Sequence, residues 1–301
     1  MRVALLANPA ARAGAHTGAA PHAAELLRER GIRTTVVSGG SAAESSELLR
    51  TAIDLGTDAV VVAGGDGTVH LAIQEVAGTG IPLGIIPSGT GNDFAGTLGL
   101  RELDVAAAVD AIASGSTRLV DLARVTRADG STTLFGSVLA SGFDSRVNDR
   151  ANAMRWPRGG SRYNIALLLE FLTLAGLPYA VRLELPDGSH EHIAGELVMA
   201  TVGNGRTYGG GIPICPDADP SDGLLDVVLV RPARRLRLLR LLPRVYRGTH
   251  TTVDEVTTRR VRAVRLDSPG ITAYADGDPI GALPLQIDAV PAALRVFAPD
   301  G

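Results

Sequence analysis

Apolar positions along the first 120 or so residues follow two alternating periods. Stretches 2–7, 33–37, 58–63 and 82–86 are short, nearly unbroken apolar or β-branched runs, the third centred on Val60, Val61 and Val62. Stretches 19–30, 41–55, 67–77 and 104–113 instead carry helical spacing. Gly31 stops the first of these helices. Ser41 is placed to cap the second, with Glu44 three residues on at the spacing of a capping box. This order of strands and helices predicts a parallel sheet covered by helices. Beyond about residue 120 the period shortens. Runs at 118–125, 132–139, 181–185, 197–203, 224–230, 261–266, 271–275, 285–287 and 294–297 predict a β-rich second part. Helical stretches at 163–175 and 233–246 interrupt it.

Length and composition narrow the classes. The chain has 301 residues, 45% of them hydrophobic, enough for one large core or two modest ones. A net charge of −3 gives no globally basic face, so a nucleic-acid partner is not expected. Cys215 is the only cysteine, so no internal disulfide forms, which fits a reducing compartment. The first nine residues read as a strand and turn rather than a signal peptide. No apolar run reaches the roughly 18 residues of a spanning helix; the best, 165–177, is interrupted by Glu170. All 29 basic residues are arginine. Without lysine, a Walker-A NTPase, a protein kinase of the usual kind and a Schiff-base enzyme are each improbable on chemistry.

Two loops carry candidate chemistry. Gly64-Gly65-Asp66-Gly67-Thr68 follows the strand at 58–63 and opens a helix. Glycines let backbone approach a ligand, and free amides at a helix start suit phosphate oxygens. Asp66 is repulsive beside phosphate unless a Mg²⁺ ion lies between them. Pro87-Ser88-Gly89-Thr90-Gly91-Asn92-Asp93-Phe94 follows the next strand and also leads into a helix. Both loops therefore fall at carboxyl ends of strands, where open α/β sheets bind ligands. Plain alternatives stand beside these readings: a tight strand-to-helix turn for the first loop, and an N-cap role for Asn92 or Asp93 in the second.

These segments resemble the catalytic domain of diacylglycerol kinases and the related bacterial lipid kinases and sphingosine kinases. The first loop is similar to the family's GGDGT motif and the second to its P-x-G-T-x-N-D-F segment. Asn8-Pro9, with Arg12, resembles its N-terminal nucleotide-contacting turn. Gly209-Gly210-Gly211 through Pro216-Asp217-Ala218 to Ser221-Asp222-Gly223-Leu224-Leu225-Asp226 resembles the second-domain signature, and Asp276-Gly277-Asp278 its late D-G-E. The resemblance implies an NAD-kinase-like α/β domain of residues 1–121 and 289–301, and a β-sandwich-like lipid domain of 122–288. It implies ATP and Mg²⁺ as cofactors, with Asp66, Asp93 and Asp278 catalytic, Asp278 being the presumed base. It places nucleotide on Asn8, Pro9, Arg12, Ser38, Gly64, Gly65, Asp66, Gly67, Thr68, Ser88, Gly89, Thr90 and Asn92. Asp219, Asp222 and the carbonyl of Leu224 match a structural Mg²⁺ site, although an Asp-Gly turn would read the same way. The implied reaction is phosphorylation of a diacylglycerol-like lipid by a cytoplasmic protein peripheral to the inner membrane face, with room for a homodimer. An NAD-kinase-like enzyme and a catalytically weak binding relative remain open.

Three positions depart from the family pattern. Asp278 is one methylene shorter than the family's glutamate, His70-Leu71 stands where Asn-Glu often follows, and Gly96 replaces an arginine. Asp276 or Asp278 could act as base. Residues 231–247 hold seven arginines among leucines, with no acid from Val227 to Val253. As a helix this stretch would group Leu236, Leu239 and Val245, and could rest on an anionic bilayer or pack as an ordinary amphipathic helix. His190-Glu191-His192 reads as a surface turn.

Overall fold

In the computed structural model, residues 1–7, 18–154, 156 and 160–298 are described, 160–164 by backbone alone. The first part alternates as its periods predict. Its elements are β1 (Arg2–Ala7), α1 (Ala19–Glu29), β2 (Arg33–Val37), α2 (Ala42–Asp54), β3 (Ala59–Gly64), α3 (Asp66–Val76), β4 (Leu83–Pro87), α4 (Asp93–Thr97) and α5 (Val105–Ser114). The strands pair in parallel in the order β2-β1-β3-β4. Because side chains alternate across a strand, Val60 and Val62 pack with Leu49, Val69 and Ile73 on one face, while Val61 packs with Leu27, Val109 and Ile112 on the other. Ser41 caps α2 by accepting from the Glu44 amide at 3.1 Å. The Glu44 carboxylate reaches back one residue further than a capping box requires, to the amide of Gly40 at 2.6 Å.

The second part contains β5 (Thr117–Thr126), β6 (Thr132–Phe135), β7 (Val138–Gly142), α6 (Phe143–Ala153), α7 (Gly160–Leu172), β8 (Leu177–Glu184), β9 (His190–Leu197), β10 (Met199–Gly203), β11 (Leu225–Val230), α8 (Arg235–Tyr246), β12 (Val256–Val261), β13 (Ala263–Asp267), β14 (Thr272–Ala275), β15 (Asp278–Ala282) and β16 (Leu285–Phe297). A six-stranded sheet runs β12-β11-β10-β7-β14-β15. It faces the continuation of the first sheet, in which β16, β13, β8 and β9 follow β4 and β5 pairs with β16. Leu139, Val202, Val227 and Ala273 of one layer meet Val181, Val264, Leu285 and Ile287 of the other in a single core. The architecture is thus an α/β unit with a parallel sheet, joined to an antiparallel β-sandwich.

Four sequence expectations are corrected. The two runs at 285–287 and 294–297 form one strand, β16, whose pairing with β5 shifts register between Val290 and Leu294, where Ala292 takes φ 51°. The run 132–139 breaks into β6 and β7. Helix α6, with its polar sequence, has no counterpart in the apolar periods; Ser145 receives a hydrogen bond from the Gly142 amide at its start, at 3.0 Å. His190 and His192 open β9 opposite Glu184 and Arg182 instead of lying in a turn.

Candidate active site

Strand β3 ends at Gly64, and Gly65 stands as the N-cap residue of α3. The Ser88 amide donates to the Gly64 carbonyl at 3.1 Å, which sets the second loop alongside the first. The contact is closer still at Gly65 and Gly89: a Cβ built on Gly89 would lie 2.5 Å from the Gly65 Cα. Both positions exclude side chains because backbone meets backbone. Asn92 closes the second loop from a left-handed conformation (φ 53°), accepting from the Gly89 amide and donating to the Gly89 carbonyl, both at 3.0 Å.

Asp66, in the first turn of α3, accepts from the Asp93 amide at 2.7 Å. Its pKa is raised, first by burial and then by the negative charge of Asp93, with Asp276 adding to the effect and the Asp93 amide opposing it. Asp66 is therefore a desolvated carboxylate among like charges, an arrangement that a divalent cation would relieve. Among the described residues no group of three or more His, Cys, Asp or Glu is placed to hold a metal. One or two carboxylates completed by phosphate oxygens is nonetheless the usual habit of Mg²⁺ at phosphoryl sites, so Asp66 fits that ion.

Asp93 is placed beside Asp66, but its carboxylate is already occupied. Oδ1 receives Arg101 Nη2 at 2.7 Å, the Thr207 hydroxyl at 3.2 Å and the Gly211 amide at 2.9 Å, and Oδ2 receives the Gly210 amide at 2.9 Å. Four donors, three of them from the second part, make Asp93 a clamp between the two parts of the chain. Near it, Tyr208 donates to Asp144 in α6 at 2.8 Å. Burial pushes that carboxyl up to about 6, the Tyr208 hydrogen bond opposing the shift.

The turn between β14 and β15 returns the late acids to α3. Asp276, at φ 50°, accepts from the Gly136 and Ser137 amides, each at 2.9 Å, and pairs with His70 Nδ1 at 3.3 Å. Its side chain is 3% exposed. That carboxylate is held on all sides and is not free to act as a base. Asp278 is exposed, with Oδ2 only 3.9 Å from where a Cβ on Gly67 would sit. It borders a cavity of about 510 Å³ at the carboxyl end of β1, lined also by Ala7, Gly40, Ser41, Gly67 and Thr68. Asp66, Asp93 and Asp278 therefore gather around the start of α3.

Other predicted positions divide. Gly67 and Thr68 border the cavity; Ser38 is exposed beyond β2, and Gly40, Ser41 and Ser45 line the wall in its place. Ser88 and Thr90 lie on the second loop, and Asn8, Pro9 and Arg12 lie outside the described residues. The cation site expected at Asp219, Asp222 and the Leu224 carbonyl lies in the turn before β11. Asp219 accepts from the Ser221 amide and hydroxyl, and Asp222 accepts from the Leu224 amide and pairs with Arg260.

Three side chains that contact the gathered acids are missing from the site residues expected from sequence: His70, Arg101 and Thr207. His70 had a signal, since it lies one turn after Asp66 on the same face of α3. Arg101 and Thr207 carry no local signal, because they meet Asp93 only through the tertiary fold.

Residues 2–125 match the diacylglycerol kinase catalytic domain, and residues 137–298 match the YegS C-terminal NAD kinase beta sandwich-like domain. A diacylglycerol kinase of Mycobacterium tuberculosis is 48% identical over 298 residues, covering 99% of this chain and 95% of that protein. A probable YegS-like lipid kinase of Stenotrophomonas maltophilia is 31% identical over 283 residues, covering 91% and 89%. The fold is shared with a putative diacylglycerol kinase from Bacillus anthracis (TM-score 0.75, 22% identity, 99% of this chain and 96% of that one). The sequence likeness runs through both parts of the chain and includes the loops that gather the acids, and the chain belongs to the diacylglycerol kinase-like family of lipid kinases.

Proposed function

We propose that the protein transfers the γ-phosphate of ATP to the hydroxyl of a lipid alcohol, with diacylglycerol as acceptor and phosphatidic acid as product. The observation that carries this reading is the placement of Asp278 over Gly67, the residue after Asp66 at the N-terminus of α3, beside a cavity to which Gly40, Ser41, Ser45, Gly67 and Thr68 contribute along with Leu6, Ala7, Ala42 and Leu71. Phosphoryl transfer asks mainly for positioning and charge neutralisation. The α3 amides and the Thr68 hydroxyl meet phosphate oxygens, and the positive end of the helix favours their charge. Asp66 would hold Mg²⁺, which when bound neutralises charge on the transferring phosphate. Asp278, whose carboxylate receives no hydrogen bond from the described residues, takes the proton of the lipid hydroxyl as the new P–O bond forms. The Asp93 clamp and the His70–Asp276 pair set the distance between the nucleotide loops and that base.

The test is an assay with radiolabelled ATP and Mg²⁺ against dispersed diacylglycerol, other lipid alcohols and NAD. Label in phosphatidic acid and none in NADP is expected. Label in NADP with no labelled lipid would replace this reading with that of a small-molecule kinase.

A further inference from the structure

Helix α8 has three faces. Leu238, 8% exposed, packs with Leu241 and Val245 against the core of the second part. This corrects the grouping expected from sequence, because Val245 faces inward while Leu236 and Leu239 do not. A second apolar face points outward: Leu236 is 71% exposed, Tyr246 65%, Leu239 44% and Leu242 37%. By helical spacing Arg237, Arg240 and Arg244 form a third face between these two. A cavity of about 540 Å³ lies along that basic face, closed on its far side by Thr252, Val253, Asp254 and Glu255. Arg237 is paired with Asp254 and Glu255. Among the described residues no carboxylate pairs with Arg240 or Arg244.

Leucines left in water beside such arginines carry a cost unless a partner covers both. Helix α7 repeats the apolar half of the pattern, with Leu168 and Leu172 outward while Phe171, and Leu174 just past its end, pack on the same core cluster as α8. A bilayer rich in anionic lipid supplies both complements together, with hydrocarbon for the leucines and phosphate for the guanidinium groups. No helix of the described residues is long and apolar enough to cross a membrane, so the contact is one of lying on the surface.

We infer that the outward face of α8 docks the protein on an anionic lipid bilayer, with Leu236, Leu239 and Tyr246 entering the acyl boundary and a lipid phosphate seated between Arg240 and Arg244. This deepens the lipid-kinase reading and rests on it, since docking would bring an acceptor held in the membrane to the enzyme.

The experiment is co-sedimentation of the full chain with vesicles of phosphatidylcholine alone and of phosphatidylcholine mixed with phosphatidylglycerol. Wild-type protein is expected to bind the anionic vesicles at least about tenfold more tightly. The double variant Arg240→Glu/Arg244→Glu loses that preference, and Leu236→Ser/Leu239→Ser weakens binding to both vesicle types. All these side chains are exposed, and thermal melts confirm that the variants fold. Variants that bind like wild type, or wild type that binds neither vesicle, overturn the inference. So does a solution dimer that the leucine variant disperses. Phosphorylation of a dispersed short-chain diacylglycerol separates the two readings. If vesicle binding is lost while that activity persists, the surface alone is affected. If vesicle binding is intact and no lipid is phosphorylated, the kinase reading alone fails.

Discussion

The Cα of Gly65 lies where a side chain on Gly89 would have to stand, at 2.5 Å from the Cβ position. Neither partner is the end of a flexible side chain, so nothing can give way cheaply. Gly89→Ala is expected to push the two loops apart, destabilising the fold by about 1–3 kcal/mol and weakening ATP binding at least about tenfold. Isothermal titration with ATP and a denaturant melt measure the two effects. Unchanged ATP affinity would mean that the loops do not jointly hold nucleotide.

Much of this is readable along the chain and some is not, for physical reasons. Val60, Val61 and Val62 announce a strand buried on both faces, and Ser41 announces a helix start; each signal is local. Strand β16 reads as two because Pro291 and Ala292 interrupt its alternation, and only pairing with β5 on both sides of the break restores one strand. Helix α6 has little apolar periodicity, and its packing against α7 stabilises it from outside. In the site, the glycine loops are visible because their spacing is itself the chemistry. The division of labour among the acids is not. Asp276 is removed from base catalysis by partners 206 and 139 residues away, and Asp93 by donors more than 100 residues away.

The His70–Asp276 pair gives a pH dependence. Burial alone would lower the His70 pKa, but the hydrogen bond and charge of Asp276, with the charge of Asp278, outweigh it, and the net shift is upward. A raised histidine pKa contributes stability that is full below the unfolded value of about 6.5 and is lost as pH rises through the folded value. The stability gap between wild type and His70→Gln should therefore narrow from pH 6 towards pH 9 in thermal melts. A gap that widened with pH would show that the histidine is not paired as a cation.

Asp144 also loses stability for the fold as pH rises, but through a buried charge with no cationic partner among the described residues. Its folded pKa of about 6 exceeds the ordinary carboxylate value, so the folded state keeps the proton longer and ionisation costs stability as pH rises through 6. Asp144→Asn keeps an acceptor for Tyr208 and removes the buried charge. A tenfold change in a proton affinity corresponds to about 1.4 kcal/mol, so the variant should stabilise the protein by about 2–3 kcal/mol at pH 8 and by nothing near pH 4. Denaturant titrations at the two pH values check this, and equal stabilisation at both would refute it.

Removing Arg101 leaves the Asp93 carboxylate without the one cationic donor it has among the described residues. Arg101→Leu is expected to lower stability by about 1–3 kcal/mol and to raise the KM for lipid more than that for ATP, because Asp93 ties Thr207, Gly210 and Gly211 to the nucleotide loop. Steady-state kinetics in both substrates resolve this. A rise confined to the KM for ATP would contradict the clamp.

The central claim is that Asp278 takes the proton from the lipid hydroxyl across the cavity at the start of α3. Its most direct test is kcat for diacylglycerol phosphorylation by Asp278→Asn, measured beside its ATP affinity. The account predicts a loss of at least about 100-fold in kcat with ATP affinity changed less than about threefold. A variant that turns over like wild type while binding ATP normally would contradict it.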